Sequence, residues 1–351
     1  MKNKKTFLSY LLPLLFFTLA SCHKKDNPAP NPPANSDVDV YAVGSDSYGA
    51  KLWKNGQAIS LPSGVVATDM LVVGNDIYIS GYGYTDHDTY VAKYWKNGVV
   101  KDLTDGSQNA FAQSIFVKGN DIYAAGRERQ ASSATYIAKY WKNGVEVNLS
   151  GTSENASVNG LTIVGNDVYA IGMHNQDAQS PVACYWKNGH VTDLSTTSTY
   201  AERQAIAVSG SDIYMMWSES YNDSGKSQAS YNKDFGPAIK LNDDARDFQG
   251  YSISANGSDI YVTGTGVNPS NGVLLSKYYK NGSPVVVTNN PNGDFATNLT
   301  VDRTDVYVSG WTQDVEPGKA PTACYWKNGT RVLLGDGSSQ SAANKIIVIR
   351  K

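Results

Sequence analysis

Tyr94-Trp95-Lys96-Asn97-Gly98 is the stretch that decides the fold, because the same five residues return at 140–144, 185–189 and 325–329. Weaker copies stand at Trp53-Lys54-Asn55-Gly56, Tyr279-Lys280-Asn281-Gly282 and Tyr231-Asn232-Lys233-Asp234. Counted from the lysine, the copies are 42, 46, 45, 46, 47 and 47 residues apart. A fixed period of that size is the signature of one small unit stacked many times.

A second stretch recurs between the copies: Gly74-Asn75-Asp76-Ile77-Tyr78, Gly119-Asn120-Asp121-Ile122-Tyr123, Gly165-Asn166-Asp167-Val168-Tyr169, and variants near Asp212, Asp259 and Asp305. Gly, Asn and Asp tolerate the backbone of a tight turn, and both stretches sit between runs rich in β-branched and aromatic residues. Each unit therefore reads as four strands, a to d. In the second unit they fall near Met70-Leu71-Val72-Val73, Ile77-Tyr78-Ile79-Ser80, Val91-Ala92-Lys93-Tyr94-Trp95 and Val99-Val100-Lys101-Asp102-Leu103, with Asn-Asp expected as the a–b turn and Lys-Asn-Gly as the c–d turn. Four short strands per repeat, with no helical period anywhere, describe a β-propeller blade.

The ends of the domain supply the count. The chain enters at Asp37 on a strand b with no strand a before it, and residues 343–351 read as a strand a with no b after it. The C-terminal strand is expected to complete the first blade, which closes a ring of seven blades with four antiparallel strands each.

Ahead of the propeller, assigned to 37–351, lie two other segments. Residues 1–21 carry Lys2, Lys4 and Lys5 followed by an apolar run too short to span a bilayer comfortably, the pattern of a secretory leader. Residues 22–36 are rich in Pro and Asn and read as an extended spacer. Leu19-Ala20-Ser21-Cys22 resembles the lipobox of bacterial lipoproteins, which implies acylation of Cys22 and anchorage to a lipid bilayer. The repeat layout resembles the WxNG extracellular repeats known as HAF repeats and the propeller lipoproteins of Bacteroidota. That resemblance implies secretion and a repeat fold, and the expected location is the outer membrane, with exposure at the cell surface.

The formal charge of −2 becomes −5 once the leader's three lysines are removed, a balance that argues against a nucleic-acid partner. Four histidines and three cysteines are few for metal chemistry, and no cofactor is expected. Asp86-His87-Asp88 with His174 has the chemistry of a metal site, but those loops belong to blades two and four. Glu128, Glu202, Glu219 and Glu316 show no spacing that pairs them as acid and base, and neither a nucleophile elbow nor a phosphate loop is present.

Function is therefore sought where the repeat breaks. The b–c connections differ from blade to blade while the turns at the other rim barely change, so the b–c and d–a rim is the expected binding face. Its candidates are Tyr82, Arg127, Trp311 and Trp217 from the ends of strand b, with Tyr200 and Arg203, alongside Glu202, from a d–a loop. Aromatics and arginines there suit a glycan, or an acidic or peptide ligand. The reading is a monomeric binding or scaffold module; the alternatives are a structural subunit of an outer-membrane complex and a glycan-active hydrolase or lyase. Trp95, Trp141, Trp186 and Trp326 recur once per blade and are assigned to packing. Cys184 and Cys324 occupy one slot three blades apart, beyond disulfide reach. Non-reducing peptide mapping is expected to find both thiols free, and a Cys184–Cys324 cross-link in the monomer would displace the blade register.

Overall fold

Each Lys-Asn-Gly is a two-residue turn whose Asn and Gly both take the left-handed backbone, as at Asn97 (φ 51°) and Gly98 (φ 81°). The asparagine side chain then reaches back to strand b. Asn97 Oδ1 accepts the Ile77 N–H at 2.8 Å and Nδ2 donates to Asp76 Oδ1 at 2.7 Å. Lys96 completes the clasp, with Nζ 2.8 Å from Asp76 Oδ2 and 5.2 Å above the Tyr78 ring. The same aspartate, lysine and asparagine meet in six blades. In blade five Asp234 replaces the asparagine; it still accepts the Ile213 N–H, and Lys233 still pairs with Asp212 at 2.6 Å.

The a–b turn differs from expectation by one residue. Its positive φ falls on the glycine, as at Gly74 (φ 58°), so the turn is Gly-Asn and the aspartate opens strand b. The aspartate belongs on the strand because there it meets the clasp. Blade seven lacks the glycine, and Arg303 takes the left-handed backbone instead (φ 56°).

The computed structural model describes residues 37–351 apart from 63–64, 86–87, 132, 153, 176–179, 197–198, 222–225, 242–246, 268–271, 289, 291–292 and 314–317. The leader, Cys22 and the spacer lie outside the described residues. Seven four-stranded antiparallel sheets are present, and six run a-b-c-d in chain order. The seventh is closed across the termini: Ser341–Arg350 lies beside Val38–Asp46, with Ala42 opposite Ile346 and Val38 opposite Arg350, followed by Gly49–Lys54 and Gln57–Ser60. The seven-bladed ring and its shared first blade are as the sequence predicts. Strands a and b are longer than predicted, reaching Val65–Val73 and Asp76–Tyr84 in blade two.

The blades hold one another through a single large ring each. Trp95 packs among Tyr41, Val43 and Leu52 of blade one, and Trp141 among Tyr78, Tyr94 and Leu103 of blade two. Trp186, Trp326 and Trp53 insert likewise into the preceding blade, and Tyr279 does so in blade six. Burying such a ring contributes about 2–3 kcal/mol, and six of the seven blades make this contact from strand c. Cys184 and Cys324 are buried in two separate inter-blade cores, and burial pushes the Cys184 thiol well up.

Two tests follow from the closure and the clasp. Deleting residues 343–351 removes Ile346 from the core and leaves blade one with three strands. Scanning calorimetry should show the melting temperature lowered by more than about 5 °C. The clasp also sets a pH window, because hydrogen bonds from its lysine or asparagine hold the carboxyls of Asp39, Asp76, Asp121, Asp167, Asp259 and Asp305 below the usual range. A lowered folded value contributes stability above the unfolded value of about 4 and loses it as pH falls through the folded value. The hydrogen bond that Lys280 donates to Asp259 pushes the lysine up to about 12, which works in the opposite direction at high pH. Melting temperature should thus be level from pH 5 to 9, flanks judged by about one unit either side of those values, and should drop below about pH 4.

Candidate functional site

Strand a of every blade carries one extra residue that bulges toward the axis: Thr68, Gln113, Asn159, Glu202, Tyr251, Thr297 and Asn344. A bulge turns a carbonyl out of the ladder. At Gly81 that carbonyl, from Val66, would stand 1.9 Å from any Cβ, and five other blades repeat the approach at 1.8–2.0 Å. Glycine at this point of strand b is therefore a steric requirement.

Blade five has Trp217 there and solves the conflict by moving its bulge. The extra residue lies at Glu202, and Trp217 pairs with Gln204 in regular register. The indole is 3% exposed and packs against Ala183, Met173 and Leu194 of blade four. It fills the inter-blade gap that the strand c tryptophan fills elsewhere, since Asn232 occupies that slot in blade five. Phe235, in the left-handed turn, stacks on Tyr169 and Tyr185 of blade four with ring centres 5.7 and 5.1 Å away.

The bulged residues line a central cavity of about 980 Å³. Several tie one blade to the next: Thr68 Oγ1 donates to Ala112 O at 2.7 Å, Thr297 Oγ1 to Ala343 O at 2.6 Å, and Asn159 Nδ2 to Gln204 Oε1 at 2.5 Å. Two carboxylates line the cavity. Asp69 is 3.1 Å from Lys345 Nζ and accepts the Ser114 hydroxyl at 3.2 Å. Glu202 accepts Gln249 Nε2 at 2.5 Å and the Ser227 hydroxyl at 3.2 Å.

At the b–c and d–a end the cavity wall turns aromatic and basic. The Arg127 guanidinium lies 4.5 Å from the Tyr136 ring centre and 5.1 Å from that of Phe111, which Tyr82 meets edge-on at 4.8 Å. Arg203 stands 5.5 Å over Tyr251, Tyr251 is 5.0 Å from Phe295, and Phe295 stacks on Trp311 at 5.4 Å with planes 5° apart.

Arg127, Arg203 and Trp311 are thus brought together on one cavity, with Tyr82 packed behind Arg127. Trp217 is a packing residue and has no surface to offer a ligand. Tyr200 is 46% exposed, opposite Ser220, and is absent from the cavity wall. Tyr200, Glu202 and Arg203 lie on the strand Thr199–Ser209, not on a loop, and Arg127 lies within Asp121–Arg129. The correction has one cause: strands a and b extend beyond the turn-proximal residues that the pattern marks.

Of the other groups singled out, Glu128 is bound to Lys139 and Glu219 takes the Trp217 Nε1–H at 3.1 Å. His174 lies between Asp193 at 2.7 Å and Glu154 at 3.2 Å. Asp86, His87 and Glu316 lie outside the described residues. Among the described residues no group of three or more His, Cys, Asp or Glu is placed to hold a metal ion.

The cavity residues that sequence reading missed are Tyr251, Phe295 and, apart from Glu202, the rest of the bulge column. A signal for the column exists: eight positions before the turn aspartate, the apolar strand is interrupted by Thr68, Gln113, Asn159, Gln204, Tyr251 and Thr297.

No protein-family model and no curated protein sequence matches the chain. By fold it is similar to the acylaminoacyl peptidase of Pyrococcus horikoshii, with a TM-score of 0.51 and 11% identity over 86% of this chain and 51% of that one. The chain thus spans about half the length of that peptidase. It is also similar to the β-propeller domain of the Trilobed protease from Pyrococcus furiosus, with a TM-score of 0.50 and 11% identity over 86% and 96% of the two chains. At such identity the likeness is one of fold, and it defines the class: a seven-bladed β-propeller with a polar axial cavity.

Trp217→Ala separates packing from binding. The substitution empties an inter-blade contact, and denaturant unfolding should show a loss of about 3–5 kcal/mol with the cavity wall unchanged.

Proposed function

We propose that this protein is a cell-envelope binding module, held on the outer membrane through acylated Cys22, whose ligand is a glycan or a peptide taken at the b–c and d–a end of the cavity. The single observation that carries the binding reading is the pairing of Arg127 and Arg203 with aromatic rings, on a cavity wall that also carries the stacked Phe295 and Trp311. Neither guanidinium has a carboxylate partner among the described residues. A stacked arginine without a counter-ion keeps its fork of donors for an incoming acceptor. The seven blades contribute different residues at equivalent positions, which supplies the asymmetry a site needs.

Catalysis of glycosidic cleavage asks for two carboxylates across one bond. The acids lining this cavity, Asp69 and Glu202, stand three blades apart, and each is already bonded, so binding is favoured over turnover. A scaffold role has its own support in the outermost strands, where Val99 and Val145 are 72% and 70% exposed.

Glycan and peptide arrays probed with the purified protein and with the Arg127→Ala/Trp311→Ala variant test the site. Binding should fall by about tenfold or more in the variant; binding that is unchanged removes the cavity as the site and turns attention to the outer strands. Cys22→Ser should abolish labelling by radioactive palmitate and release the protein from the membrane fraction. Retention there after the substitution would overturn the anchor.

A further inference from the structure

The wall of the cavity is divided into two kinds of surface. On the side of blades three to five several donors lie without acceptors. Arg127 Nε, Ser157 Oγ and Gln204 Nε2 are buried and have no hydrogen-bond partner among the described residues, and Ser157 and Gln204 are 3% and 5% exposed. The Gln204 carbonyl oxygen is used by Asn159, so its amide N–H groups are what remains. Arg203 adds a second guanidinium from blade five. A buried donor left without an acceptor is costly, and three in one sector mark a place that lacks an acceptor.

The carboxylates of the wall do not supply it. Asp69 faces Lys345 and Ser114, and Glu202 is held by Gln249 and Ser227. Three basic residues, Arg127, Arg203 and Lys345, stand against these two acids, so the cavity is net positive in a chain whose formal charge is −2. A neutral ligand would leave the arginines uncompensated, and a cationic one would be repelled.

The other side is flat. Arg203, Tyr251, Phe295 and Trp311 form a continuous rail across blades five to seven, each 5.0–5.5 Å from the next. Such faces suit the C–H face of a sugar ring, while the side-chain amides of Gln113, Asn159 and Asn344 around the same cavity suit hydroxyls.

We infer that the ligand of this cavity is an acidic saccharide, whose carboxylate or sulfate is bound on the donor side by Arg127 and Arg203 while a ring lies on the rail that ends at Trp311. The inference rests on the binding reading above and narrows it to one ligand class.

Titration calorimetry of the purified protein with four probes tests it: trigalacturonate, a sulfated galactose trimer, the neutral galactose trimer, and an acidic peptide of similar length. One or both anionic sugars should bind, more weakly as salt is raised, and the neutral trimer should bind about tenfold more weakly or worse. The Arg127→Met/Arg203→Met variant should lose the preference for the anionic sugar, with its melting temperature as the check on folding. Should that variant fail to fold, Arg203→Gln alone, at an exposed side chain, carries the test. Equal binding of acidic and neutral trimers, or a preference that survives the arginine substitutions, overturns the inference while leaving a saccharide site in place. Binding of the peptide alone, lost on the same substitutions, overturns the saccharide assignment. Binding of no saccharide or peptide, here and on the arrays, takes the binding reading down with it.

Discussion

The fold depends on the clasp in which one aspartate at the start of strand b is held by the lysine and asparagine of the c–d turn. The exposed ion pair contributes little on its own. Its effect is on register: the asparagine bonds both the aspartate side chain and the next backbone N–H, so strands b and c can pair in only one way. With the clasp at one rim of each blade, the short turns are confined to that rim. Sequence freedom is left to the opposite rim.

The second constraint is the bulge in strand a. An extra residue on the innermost strand sends one side chain toward the axis and one carbonyl toward strand b, so a single irregularity both builds the cavity lining and demands glycine next door. Blade five shows that the two are coupled. Where the glycine is Trp217 the bulge lies two residues earlier in strand a, and that displacement puts Glu202 and Arg203 on the cavity wall. The degenerate repeat is therefore the blade that gives the cavity much of its asymmetry, while its tryptophan keeps the inter-blade contact intact.

The cavity is polar because its lining comes from bulged positions, which need not match the apolar packing between blades. Aromatic rings beside it hold the two arginines in place without neutralising them. That combination of a fixed cation and a flat apolar surface is the basis of the binding role proposed above.

The period, the four strands per unit, the count of seven and the closure by the C-terminal strand were all legible in the sequence, because turn residues with positive φ and alternating apolar strands are local properties. The packing role of Trp95 and its repeats was legible for the same reason. The candidate site was legible only in part. Arg127, Arg203 and Trp311 stood out as breaks in the repeat, but so did Trp217, and nothing local distinguishes an aromatic that lines the axis from one buried between blades. That choice follows from where each bulge falls, and a bulge is set by the pairing of two strands. The arginine rail and the donor sector likewise join residues from three blades each, more than 40 positions apart in places, so only the closed ring brings them together.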